Sequence, residues 1–91
     1  MVGKKLSAFM EALYHNPEIE LEYMSIRYMI SGYIEKDMYV LRVDTIDPNA
    51  ETIFISRSTQ RQVCVEAFET AHMFAGKTIY EAEKDIVVLY G

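Results

Sequence analysis

A single cysteine, no tryptophan, two prolines and four glycines in 91 residues remove several kinds of protein at once. Cys64 has no second cysteine to pair with, so no disulfide within the chain can stabilise it, and a lone thiol fits a reducing compartment. The scarcity of proline and glycine excludes collagen-like repeats and proline-rich linkers. No stretch approaches the roughly 18 consecutive apolar residues a membrane span requires, and the lysines of Met1–Leu6 are not followed by the apolar run of a secretory leader. The expected location is therefore the cytoplasm. Positive charge is also in short supply. Nine Lys and Arg against fourteen Asp and Glu give a net charge of −5, which opposes non-specific attraction to nucleic acid or an anionic membrane.

What remains has the composition of an ordinary folded domain, 51% hydrophobic and 25% charged. Residues 1–91 are expected to form one domain, small enough that roughly a third of its unfolded surface stays wet after folding.

Leu6, Phe9, Met10, Leu13 and Tyr14 follow the spacing that lines one side of a helix, and Asn16-Pro17 stops it, because proline disfavours helical geometry at the residue before it. From Glu18 the period changes to two: Ile19, Leu21 and Tyr23 alternate with Glu18, Glu20 and Glu22, as in a strand. The apolar parity then moves to Ile26, Tyr28, Ile30 and Ile34. Either a bulge near Met24-Ser25 re-aims one strand or two strands meet there, and the bulge is the preferred expectation.

Around Lys36-Asp37 the pattern selects a register. An even loop sets Ile34 opposite Tyr39, Gly32 opposite Leu41 and Ile30 opposite Val43, all on one face, whereas an odd loop puts Arg42 opposite Ile30. Lys-Asp is a poor type I′ pair, so a four-residue loop is expected. Asp47-Pro48-Asn49-Ala50-Glu51 reads as a turn returning the chain as Thr52–Arg57, with Ile53 and Ile55 on the core side. Thr59 and Gln62 form a capping-box pair opening a helix whose Val63, Cys64, Ala67, Phe68, Ala71, Phe74 and Ala75 make one stripe, closed by Gly76. A second such pair, Thr78 with Glu81, opens a short helix to about Asp85, and Val87–Tyr90 reads as a terminal edge strand. The expected fold class is α+β: an antiparallel meander of three to four strands with two amphipathic helices on one face, in the order α-β-β-β-α-(short α)-β. The helix, three-strand, helix order is similar to that of double-stranded RNA-binding domains. The likeness is of element order alone, because the second helix opens Thr59-Gln60-Arg61-Gln62 without the lysine cluster those domains use, and fold does not carry function.

The motifs that suggest chemistry each fail on spacing. Gly76-Lys77-Thr78 resembles the end of a phosphate-binding loop, but Ala71 stands where that loop needs glycine and a helix precedes it instead of a strand. Asp44, Asp47, Asn49 and Glu51 gather oxygen ligands in one turn without the glycine or terminal glutamate of a calcium loop. His72 lies two helical turns from Cys64, roughly 12 Å along a helix axis, too far for a catalytic pair, while His15 is left open. Two histidines and one cysteine have no metal-ligand spacing. Glu18, Glu20 and Glu22 read most simply as a solvated strand face that also discourages edge aggregation. No cofactor, no metal and no catalytic residue is expected.

The informative feature is the other side of the sheet. The face that should be plain solvated surface carries Met29, Tyr33, Met38, Val40 and Phe54 around Arg42. In the expected register Met29, Asp44 and Phe54 form one row, Ser31, Arg42 and Ser56 the next, with Tyr33 and Val40 beyond. Met, Tyr, Phe and Arg are the residue types enriched in interface cores, and Lys and Glu are depleted there. The expected function is a small cytoplasmic interaction or regulatory module without catalytic activity, partnered by a second copy of itself or another protein through Met29, Tyr33, Met38, Val40, Arg42 and Phe54, and making no membrane contact. Two alternatives are a single-stranded nucleic-acid platform flanked by Arg27 and Arg42, which the net charge disfavours, and an enzyme with a cleft between subunits.

Overall fold

A computed structural model describes residues Met1–Gly91. The chain forms α1 (Leu6–Ala12), β1 (Glu18–Tyr23), β2 (Ile26–Glu35), β3 (Met38–Asp47), β4 (Glu51–Ser58), α2 (Arg61–Thr70), α3 (Ile79–Ala82) continued by a 3₁₀ turn (Glu83–Asp85), and β5 (Val87–Tyr90). The strands make one antiparallel sheet in the order β4-β3-β2-β1-β5. The α+β architecture read from the sequence holds, with five strands in the sheet.

The additional strand comes from Met24-Ser25. These residues have φ of 50° and 64° and form a two-residue turn setting Tyr23 opposite Ile26, so the change of parity marks two strands and not the expected bulge. The next hairpin repeats the device. Ile34 pairs with Tyr39, Gly32 with Leu41 and Ile30 with Val43, as the pattern requires. The loop, however, is Lys36-Asp37 alone, with φ of 51° and 65°, and not four residues long. Positive φ at both central positions matches the right-handed twist of the flanking strands, and that geometry outweighs the local cost of placing Lys and Asp there. Glycine carries less of that cost. Asp37→Gly and Ser25→Gly are each expected to stabilise the fold by about 0.5–1 kcal/mol and raise the melting temperature by roughly 2–8 °C. Thermal melts followed by circular dichroism check this, and unchanged or lower midpoints would show that the native side chains support these turns.

All three helices lie on one side of the sheet and share one core: Phe9 and Leu13 at α1, Cys64, Val65 and Phe68 from α2, Ile79 and Ala82 from α3, against Ile19, Leu21, Tyr23, Tyr28, Ile30, Tyr39, Leu41 and Val43. Phe68 stands at the centre of an aromatic group, with ring centres 6.1 Å from Phe9, 6.0 Å from Phe54 and 6.3 Å from Phe74. Phe74 continues it to Tyr28 at 5.1 Å and Tyr23 at 6.2 Å.

Around Phe74 the helix differs from expectation. α2 begins at Arg61 after Gln60, with no side-chain cap, and Ser58 Oγ accepts the Gln60 N–H at 3.0 Å in place of the expected Thr59–Gln62 pair. It ends at Thr70, because Ala71 is extended. Beyond it, Ala75 and Gly76 (φ 53° and 81°) make a tight turn across which Phe74 and Lys77 exchange two backbone bonds of 3.0 Å. Leaving the helix early lets Phe74 turn back onto Tyr23 and Tyr28, so burial of an aromatic ring overrides a helical stripe that could have run on. The Thr78–Glu81 capping box forms in both directions, and its hydrogen bonds hold the Glu81 carboxyl below the ordinary glutamate range. β5 pairs with β1, and Val2 bridges to Val87 along its outer side.

Candidate functional site

Alternation along paired strands places side chains of β1, β2 and β3 on the side of the sheet away from the helices. β1 contributes Glu18, Glu20 and Glu22; β2 contributes Arg27, Met29, Ser31 and Tyr33; β3 contributes Met38, Val40, Arg42 and Asp44. The pairings set Glu20, Met29 and Asp44 in one row, Glu18, Ser31 and Arg42 in the next, and Tyr33 beside Val40 in the third. Five of the six residues singled out in the sequence, Met29, Tyr33, Met38, Val40 and Arg42, therefore share this face.

Phe54 does not. β4 pairs Phe54 with Val43, Ile55 with Arg42 and Arg57 with Val40, then slips so that Asp44 meets Thr52. Ile53 is the additional residue, a β-bulge that still packs against the core, and from Phe54 to the strand's end each side chain faces opposite to the expected register. Phe54 consequently turns onto Phe68, while Ile55, expected in the core, stands on the open face and is 41% exposed. The physical reason is size and shape. A phenylalanine completing the edge-to-face contact with Phe68 gains more from the core position than isoleucine does.

Val40 needs a second correction. It is fully buried yet lies outside the helix-side core, so it is closed over by side chains of its own sheet, with Tyr33 and Arg57 on either side of it in the register. Val40 is thus the floor of this face, and the half-buried Met29, Tyr33 and Met38 with Ile55 form its accessible apolar part.

The charges here are largely spent on one another. Arg27 pairs with Glu20 across the β1–β2 ladder, and that hydrogen bond and charge raise the Arg27 guanidinium above its ordinary value. Arg42 donates from Nε to Asp44 Oδ1 at 3.0 Å and from Nη2 to Thr52 Oγ1 at 3.0 Å, while Thr52 donates to the same Asp44 oxygen at 2.5 Å. Asp44, and after it the Tyr33 hydroxyl, likewise raise Arg42. Arg57 makes no ion pair.

The remaining candidate groups lie elsewhere. Cys64 Sγ is buried and its hydrogen-bond acceptors, both at 3.5 Å, are the carbonyls of Tyr39 and Ser56. His15 faces Glu11 at 3.1 Å and His72 faces the Gly76 carbonyl at 3.2 Å, so neither histidine is hydrogen-bonded to the thiol. Asp44, the first residue of the acidic turn, is engaged by Arg42 and Thr52. No helix is long and apolar enough to cross a membrane. No family model, no curated protein and no solved structure matches this chain.

Proposed function

We propose that this chain is a protein-interaction module that associates with a second copy of itself through the open face of its sheet. One observation carries the reading. Every helix packs on the same side of five strands, and the opposite side has no covering element while presenting Met29, Tyr33, Met38 and Ile55 over Val40. Sheets that meet face to face pack about 10 Å apart through such side chains, and a two-fold dimer needs only one self-complementary patch. The mutual pairing of Arg27 with Glu20 and Arg42 with Asp44 supports protein contact over nucleic-acid contact, because paired charges are depleted of the field that draws phosphates. The reading is of binding without catalysis, in a reducing cytoplasm that suits the unpaired thiol of Cys64.

Sedimentation equilibrium over about 1–100 µM tests it. The wild type is expected at twice the 10.6 kDa chain mass. Tyr33→Asp combined with Ile55→Asp is expected to weaken association by at least about 100-fold, since each places an unpaired carboxylate in the contact. A wild type that stays monomeric throughout, or a double variant that dimerises as well as the parent, would remove the proposal. Phe54 is unsuitable for this test, because its substitution reports on the core.

A further inference from the structure

Arg61 differs from Arg27 and Arg42 of the open face and, like Arg57, has no carboxylate partner. Arg27 and Arg42 each face a carboxylate, whereas every partner of Arg61 is neutral and it takes part in no ion pair. Its guanidinium lies 4.3 Å from the centre of the Tyr39 ring, and Nη1 donates both to the Tyr14 carbonyl and to Asn16 Oδ1 at 2.7 Å. Tyr39 is itself anchored by the bond from its hydroxyl to the Leu13 carbonyl at 2.5 Å. Stacking fixes the plane of the guanidinium and the two Nη1 bonds fix its rotation within that plane. A long, flexible side chain is thereby held in one orientation before any ligand arrives.

With Nη1 occupied, the free edge is the one bearing Nε and Nη2, which have no hydrogen-bond partner in the protein and are not buried. Two parallel N–H groups on that edge are the side-on fork that donates to the two oxygens of a planar oxyanion. Arg61 borders an open depression that it shares with Tyr14, His15 and Asn16. It also opens α2, a ten-residue helix with no acidic residue in its first turn, so the positive end of the helix adds to its field.

We propose that this depression binds the carboxylate of a small organic acid through the Nε and Nη2 groups of Arg61. Charge selects the class. His15 on the rim is hydrogen-bonded to Glu11, and Arg61 is the one permanent cation lining the depression, in a chain of net −5. A monovalent planar anion matches that site, and a phosphate dianion brings a charge nothing there balances.

The site lies on the helix side of the sheet, so its test is independent of self-association. The Nε–H resonance of Arg61 is followed by ¹H–¹⁵N NMR while sodium acetate, sodium benzoate, sodium phosphate or sodium chloride is titrated in at constant ionic strength. Acetate and benzoate are expected to give a saturating shift that chloride does not, and phosphate to bind more weakly than acetate. Arg61→Lys keeps the charge but not the fork, and is expected to weaken acetate binding about tenfold, read from backbone amides around Asn16. An equal saturating shift with chloride, tighter binding of phosphate, or undiminished acetate binding by Arg61→Lys would each overturn the proposal. Should that variant fail to fold, the order of anions on the wild type decides the matter alone.

Discussion

Phe68→Ala is expected to cost about 3–5 kcal/mol, the range for removing a buried phenylalanine and leaving a cavity. The side chain is fully buried, and its ring meets those of Phe9 from α1, Phe54 from β4 and Phe74 from the segment after α2, three rings that no other ring joins to one another. Its loss removes the common partner of three parts of the chain that otherwise meet little. Since a domain of this size has roughly 5–14 kcal/mol in total, the variant is expected to be substantially unfolded at elevated temperature. Chemical denaturation gives the measurement. The effect should exceed that of Phe54→Ala, whose ring is only half-buried at the edge of the same group. A cost below about 1.5 kcal/mol would show that the surrounding rings collapse into the vacancy and that the core is not organised around Phe68.

Gly32→Ala is expected to have an effect of similar size for a different reason. A Cβ at this position would stand 2.3 Å from Tyr39 Oη and 2.4 Å from Pro17 Cδ, both closer than carbon contacts allow. Neither neighbour yields freely. Pro17 is held by the bond from the Gly32 N–H to its carbonyl at 2.9 Å, and Tyr39 by its bond to the Leu13 carbonyl. Burial pushes the Tyr39 hydroxyl above the ordinary phenol value, with Arg61 partly opposing, so breaking its bond leaves a desolvated polar group unpaired. Overpacking and a lost buried hydrogen bond together come to about 2–5 kcal/mol. Tyr39→Phe removes the hydroxyl alone and is expected to cost about 1–1.5 kcal/mol. The double variant Gly32→Ala, Tyr39→Phe should then be less destabilised than the sum, because one of the two clashes has gone. Strict additivity, or a Gly32→Ala midpoint equal to that of the wild type, would contradict the packing described.

This close approach was not legible beforehand. The pattern placed Gly32 opposite Leu41, which is where it lies, but nothing in residue order shows that Pro17 and Tyr39 converge on its missing side chain. The candidate surface divides in the same way. Alternation puts Met29, Tyr33, Val40 and Arg42 on one face because β2 and β3 are joined by two residues, and a register set across so short a turn leaves little freedom. Alternation alone puts Phe54 on the open face, whereas one bulged residue, Ile53, turns it into the core, and a bulge leaves no mark in alternation until the ring that benefits from it is known. The same bulge brings Ile55 out to the open face.

By itself, residue order determined the α+β class, helix α1, the β2–β3 register, the Thr78 capping box and the terminal strand, all of which depend on neighbours within a few residues or across one tight turn. Only tertiary structure decided where α2 ends, which of Phe54 and Ile55 is buried, and that Arg61 stacks on Tyr39. Each of those outcomes is a competition for space between groups far apart in the chain. Its winner is set by ring burial and hydrogen-bond satisfaction in the assembled core, quantities that come into being only when the elements meet.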